Sequence, residues 1–193
     1  MYINTRKSGL SVFALVLTAV TLAPVAAYSG GYGGPYGFGT PASESDIAAI
    51  DIDVMPDGRG APSGTGTYEE GKMVYTVKCL ACHGADLNGV KDTGAAALIG
   101  GRGSLDSGSP KKTVESYWPY ASTVFDYVKR AMPFNAPGSL SDTEVYNVVA
   151  YVLGEANILD KNTKLDASNI ASVEMPNRDG FIADPRPDVF NFD

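Results

Sequence analysis

The chain's 193 residues include two cysteines and one histidine, and all three fall within five consecutive positions, Cys79-Leu80-Ala81-Cys82-His83. Two thiols three residues apart at the end of a helix reach one edge of a planar group, and the adjacent imidazole can turn to that group's centre. This is the attachment signature of a c-type haem: the thiols add across the vinyl groups and the imidazole ligates the iron. Other chemistries fit less well. A structural zinc site takes four Cys or His ligands, and only three are present. A thioredoxin-like dithiol belongs in a βαβ pattern, which the sequence lacks. A disulfide in an exported chain would leave the neighbouring histidine without a role.

The ligand on the other side of the iron separates a carrier from a catalyst. An open position admits oxygen, peroxide or another small molecule, whereas a thioether closes it and raises the potential. With no second histidine, the candidates are methionines. Met1 lies in a segment expected to be removed, and Met73 lies six residues before Cys79, where it reads as a core residue. Met55 and Met175 lie outside the central region. Met132 stands just before Pro133 between two helices, with 48 residues between it and His83, enough chain to wrap to the opposite face. Met132 is therefore the expected ligand, with Met175 its main rival and an open site behind both.

The elements that must position these residues are helical. Thr67 and Glu70 have the form of a capping box. Behind them Met73, Val77 and Leu80, joined by Val74 and Ala81, recur at helical spacing, and the helix should end near Cys82–Gly84. A glycine-rich loop runs through Gly84–Ser109. A second helix is expected from about Ala121 to Ala131, with Val124, Val128 and Ala131 inward and Pro133 as its stop. Ser141 and Glu144 form another capping box, followed by Val145, Val148, Val149, Val152 and Leu153 on one buried face. Valine is a mediocre helix former, so periodicity carries that assignment.

The ends read differently. Arg6 and Lys7, the uncharged apolar run Leu10–Leu22 and the small residues Val25-Ala26-Ala27 look like a cleavable export signal, 1–27. Uncleaved, the same run is just long enough to anchor in a membrane. Its removal takes the net charge from −7 to −9, since it holds two bases and no acid. Such an acidic chain is a poor ligand for nucleic acid. Residues 28–66 form an irregular arm, rich in Gly and Tyr at first and without helical patterning from 41 onward. A single domain should span 67–157, and 158–193 reads as a tail without its own core. Residues 102–132 carry a local balance of +2, with Lys111, Lys112, Lys129 and Arg130 as candidate steering groups, against −6 over 40–70.

The attachment helix, the loop, the Met-Pro turn and the last amphipathic helix together resemble a class I cytochrome c. Several segments are similar to the cytochrome subunits of periplasmic sulfite and sulfane dehydrogenases: SDIAAIDIDVMPDGRGAPSGTGTYEEGK (45–72), LIGGRGSL (98–105), SYWPYASTVFDYVKRAMPFNAPGSLSDTEVYNVVAYVL (116–153) and MPNRDGF (175–181). The resemblance implies an all-α class I fold, with three main helices around one covalent haem c and long irregular extensions at both ends. It implies Cys79, Cys82, His83 and Met132 as the haem-binding residues. Arg102 and Trp118 look like candidates for the propionates; a solvated loop arginine and a core tryptophan are the plainer readings. Gly71 resembles the small residue at which the first and last helices cross, with Tyr146 or Tyr151 against it. One feature departs from the family. A proline carbonyl soon after CxxCH commonly orients the histidine there, but Gly84–Ser109 holds no proline, so the partner of the second ring nitrogen of His83 is left open.

The expected function follows from the resemblance: a periplasmic electron-transfer protein rather than an enzyme. It would take single electrons from a molybdenum-cofactor dehydrogenase subunit and pass them to an acceptor cytochrome or oxidase. The alternative is a free-standing haem enzyme, a peroxidase or sulfur-compound oxidase, with a displaceable sixth ligand. A single CxxCH predicts one haem per chain in alkaline pyridine spectra, retained through acid–acetone extraction. Extractable haem, or two haems, would refute the attachment reading.

Overall fold

The computed structural model describes residues 38–182 and Asp184. The export signal, the first part of the Gly/Tyr arm and the last residues of the tail lie outside the described residues. All elements below belong to the compact unit that begins at Glu44. In chain order they are α1 (Glu44–Ile50), β1 (Thr65–Gly66), α2 (Tyr68–Lys78), α3 (Leu80–His83), α4 (Ala121–Ala131), α5 (Asp142–Glu155) and β2 (Leu165–Asp166). Single 3-10 turns occur at Lys91–Thr93 and Ile170–Ser172. Among the described residues no helix is long and apolar enough to cross a membrane.

The organising element is α5. Its start is fixed reciprocally: the Glu144 N–H donates to the Ser141 hydroxyl at 3.3 Å, and the Ser141 N–H donates to Glu144 Oε2 at 2.8 Å. Every residue from Val145 to Gly154 is buried, a wider burial than the single face the periodicity gives. The cause is that α2, α4 and the β1–β2 pair all pack against it. A helix covered on all sides draws its stability from packing, which is why a valine-rich sequence holds this form.

α2 crosses α5 at Gly71. A Cβ at that position would lie 1.9 Å from the Asn147 carbonyl oxygen and 2.7 Å from Tyr151 Cβ, so the two backbones touch. The resemblance offered Tyr146 or Tyr151 as the facing residue; Tyr151 takes that place, while Tyr146 lies against Gly66 and Gly64. The inner face of α2 is Tyr68, Gly71 and Tyr75, and the rings of Tyr68 and Tyr75 tilt against Tyr151 at 5.2 and 5.1 Å. This corrects the aliphatic stripe expected from spacing: Met73 is 64% exposed and Val77 78% exposed, on the opposite side of the helix. Met73 is therefore not a core residue. At the outer end of this seam Tyr68 donates to Glu155 and accepts from Lys161 Nζ at 3.0 Å. Lys161 Nζ also donates to Glu155 Oε1 at 2.8 Å, and that bond first, with the one from Tyr68 second, holds the Glu155 carboxyl below its usual range.

α4 packs on α5 through Ala121, Val124 and Phe125, with Val128 only partly covered. The Phe125 and Tyr146 rings are 4.4 Å apart.

From Glu44 onward the arm is part of the compact unit, as are the described residues of the tail. A short helix, α1, occupies 44–50, where no helical pattern was expected; all its residues are exposed, so no apolar face marks it. Further on, the Val54 N–H donates to Asp126 Oδ1 at 2.9 Å, Ser122 Oγ to the Pro56 carbonyl at 3.2 Å and Tyr146 OH to the Pro62 carbonyl at 2.9 Å. β1 pairs antiparallel with β2 in the register Thr65↔Asp166 and Gly66↔Leu165. Leu165, Ile170 and Met175 are buried in the common core. The segment after 157 thus contributes to the same core as the helices.

Gly71→Ala has no room to relax, because both obstacles are main chain or Cβ atoms. It should cost about 3 kcal/mol or more, the upper range for overpacking, read as a lowered denaturation midpoint at unchanged slope. A loss under about 0.5 kcal/mol, the level of neutral surface changes, would mean that the helices do not cross here.

Candidate haem-attachment site

α2 and α3 are one helical run broken at Cys79, whose φ of −122° and ψ of −33° leave the helical region. The break turns the next residues back over a single carbonyl: the Cys82 and His83 N–H groups donate to Cys79 O at 3.1 and 2.9 Å. Both thiols and the imidazole therefore lie within one turn. Cys79 is partly buried, Cys82 is exposed, and neither is in a disulfide. Burial, and then the neighbouring Cys82, push the Cys79 thiol up to about 11. Gly84, with φ +78°, ends the turn, and its carbonyl accepts from Tyr75 OH at 2.7 Å. The phenol that packs on α5 thus also holds the end of the attachment turn.

The loop that follows folds back on this turn. The Gly89 N–H donates to His83 O at 2.8 Å and the Val90 N–H to Cys82 O at 2.9 Å. Thr93 Oγ1 donates to Cys82 O at 3.2 Å. The loop then delivers the Ala96 carbonyl to His83, 2.9 Å from Nδ1. A carbonyl only accepts, so Nδ1 carries the proton and Nε2 keeps its lone pair. This is the partner that sequence reasoning missed. A backbone acceptor has no letter of its own, and the usual proline marker is absent.

These residues fit haem c. The two thiols are unpaired with each other and lie three residues apart, and the one imidazole is fixed in the tautomer that leaves Nε2 for a metal.

The other expected residues are placed as follows. Met132 is half-buried at the end of α4, in extended conformation. Met175 is 4% exposed within the core, and Met55 lies 42% exposed in the arm. Trp118 is partly buried against the core, with its ring edge-on to Tyr127 at 5.5 Å. Arg102 pairs with Glu115 at 2.6 Å and donates through Nη2 to the Ala156 carbonyl, tying the loop to the end of α5. Glu115 also accepts from the Gly100 N–H. The basic residues are largely engaged. Lys129 pairs with Asp142 at 2.7 Å, Arg130 with Asp126 at 3.0 Å and with Asp53, and Lys112 sits over the Tyr117 ring. The positive flank is thus narrower than the count of charges suggests.

Residues 68–155 match the family model for cytochrome c. A chain in the crystal structure of the sulfane dehydrogenase SoxCD from Paracoccus pantotrophus superposes with a TM-score of 0.72. It is 37% identical, over 79% of this chain and 74% of that one. The chain belongs to the cytochrome c family. This cytochrome has the class I fold and carries haem c, bound covalently with its iron. It is also similar to two thiosulfate dehydrogenases, that of Allochromatium vinosum (31% identical over 111 residues, 54% of this chain) and that of Stutzerimonas stutzeri (30% over 93 residues, 47% of this chain). The matches span only 38% and 28% of those enzymes' lengths. Together these matches give the chain a haem-binding electron-transfer domain of the cytochrome c type.

Met175 is enclosed by core side chains, so truncating it leaves a cavity. Met175→Ala should cost about 2–5 kcal/mol in denaturant unfolding and leave the visible spectrum of the ferric protein unchanged. A changed spectrum with unchanged stability would make it an iron ligand instead.

Proposed function

We propose that this cytochrome is the periplasmic electron-carrying partner of a molybdenum-cofactor sulfur-compound dehydrogenase, oxidising sulfite or a sulfane sulfur. It would deliver electrons one at a time to a downstream cytochrome or oxidase. The observation that carries the reading is the extent of the likeness to the SoxCD chain. It covers 79% of this protein, well beyond the 68–155 core shared by cytochromes c at large, and so takes in extension sequence as well.

In this reading Cys79 and Cys82 hold the haem by thioether bonds, and His83 Nε2 and the Met132 sulfur ligate its iron. The group supplies a one-electron ferric–ferrous couple. The chain's own residues do the rest. Ala96 O fixes the tautomer and plane of His83. Pro133, buried beside Met132, holds the end of α4 against the domain. Trp118 stands as a candidate propionate donor through its indole N–H. Arg102 is a second, through donors not spent on Glu115 and Ala156, since a guanidinium has five. The exposed Cys82 side is where electrons would enter and leave. Lys129 and Arg130 are neutralised by carboxylates, whereas Lys111 donates to the neutral Asn88 and Lys112 sits over the Tyr117 ring. Lys111 and Lys112 thus keep their net charge and are the stronger candidates for steering a partner.

The names of the thiosulfate dehydrogenases favour a second reading, in which the chain is itself catalytic. Sulfite oxidation moves two electrons and an oxygen atom, and joining two thiosulfates through a new S–S bond likewise removes two electrons. One haem closed by a methionine accepts a single electron and leaves the iron no open position for either substrate. The isolated protein should therefore be reduced by ascorbate yet turn over neither sulfite nor thiosulfate. Met132→Ala should abolish the weak far-red sulfur-to-iron band and open the iron to carbon monoxide. Turnover by the lone chain would replace the carrier reading with the enzymatic one, and a band that survives Met132→Ala would move the sixth ligand elsewhere.

A further inference from the structure

Gly89 sits where three stretches of backbone meet around His83. Its N–H donates to the His83 carbonyl at 2.8 Å, and its φ is +78°. A Cβ there would stand 2.3 Å from the Ala95 oxygen, 3.1 Å from the Ala96 carbonyl carbon and 3.2 Å from the Ala97 nitrogen. That same Ala96 carbonyl accepts the Nδ1 proton of His83. Main chain and side chain of one histidine are thus held through a single residue that has no side chain to spare room for. The facing segment cannot simply swing away. The Leu98 N–H donates to the Leu87 carbonyl at 2.7 Å, and Leu87 is fully buried, so Ala95–Ala97 is anchored from behind. Gly94 in the same loop gives a natural comparison. It is also left-handed, at φ +69°, yet a Cβ there would meet nothing within 4 Å. The two glycines make the same conformational demand and differ in available space.

We propose that Gly89 is a positioning residue for the histidine ligand. By letting the Ala95–Ala97 backbone close against the attachment turn, it seats the Ala96 carbonyl on Nδ1 and so sets how strongly His83 donates to the iron. The proposal rests on the reading of His83 as that ligand. A carbonyl that takes the Nδ1 proton raises the basicity of Nε2, which favours the ferric state and lowers the reduction potential. A side chain at position 89 pushes the carbonyl away, weakens the bond and raises the potential. At position 94 the same substitution costs backbone strain alone.

The test compares Gly89→Ala and Gly94→Ala as purified holoproteins. Three quantities are read: the reduction potential, solvent exchange of the His83 Nδ1 proton in the ferrous protein by NMR, and stability to denaturant. Gly89→Ala should raise the ferrous-to-ferric ratio at fixed potential by roughly tenfold, which is about 59 mV for one electron, and should speed the exchange. Gly94→Ala should lose stability but move neither of the other two. Equal potential shifts in both variants, or no shift in Gly89→Ala, would overturn the proposal. Should Gly89→Ala fail to mature, the wild-type proton decides: protection from exchange supports the seat on Ala96, and exchange as fast as a solvated imidazole overturns it. A His83→Ala protein with the wild-type spectrum would instead overturn the ligand reading, whatever the glycines do.

Discussion

Where α2 meets α5, main chain rests on main chain, and the absence of a side chain at Gly71 permits it. That contact fixes the axis of the helix that leads directly into the turn carrying both thiols and the imidazole. Three tyrosines then lock the rotation of α2 about its axis. Tyr68 and Tyr75 flank Tyr151, and the Tyr75 hydroxyl reaches past the seam to the Gly84 carbonyl. The position of the cofactor ligands is thus an outcome of packing some distance away. The attachment turn itself contributes no buried residue and is held instead by hydrogen bonds from Tyr75 and from the loop that follows.

The extensions act on the same core from the other sides. The arm is held to α4 by the Asp126 carboxylate and the Ser122 hydroxyl, and to α5 by the Tyr146 hydroxyl. The segment after α5 returns to pair with β1 and fills the core with Leu165, Ile170 and Met175. Asn177 extends this contact by donating to the Tyr117 carbonyl at 2.7 Å, and Phe181 packs edge-on to the Tyr117 ring at 5.3 Å. The MPNRDGF stretch is therefore anchored beside the YWPY segment, two regions that the sequence resemblance picked out separately.

What could be read in advance depended on whether the signal was carried by side-chain type. Two N-caps and one proline located α2, α4 and α5 closely, although only Ser141 and Glu144 form the full box. At Thr67 the hydroxyl accepts from the Glu70 N–H, while the Thr67 N–H donates to Asn147 Oδ1 instead of to Glu70. The inner face of α2 was misread because apolar counting favours Met73 and Val77, whereas the contact surface is two tyrosines and a glycine. The core role of the tail was hidden by its polar turns, with Leu165, Ile170 and Met175 set five apart, a spacing that matches neither the 3.6 period of a helix nor the 2 of a strand. The seat of His83 was illegible for a deeper reason. Its partner is a peptide carbonyl, and a carbonyl belongs to every residue alike; only the geometry of the loop selects Ala96.

The β1–β2 ladder joins residues about a hundred positions apart, and the α2–α5 seam joins Gly71 to a carbonyl 76 residues later. Contacts of such sequence separation form slowly, since a long loop must close before any of them is rewarded. A chain emerging from its N-terminus exposes the CxxCH segment long before α5 and β2 exist to receive it. The thiols thus spend the early life of the polypeptide in open, unstructured chain, accessible to whatever machinery joins them to haem. The α2–α5 seam can close only once α5, which begins 60 residues after Cys82, is present, and Cys82 is still exposed when it has closed.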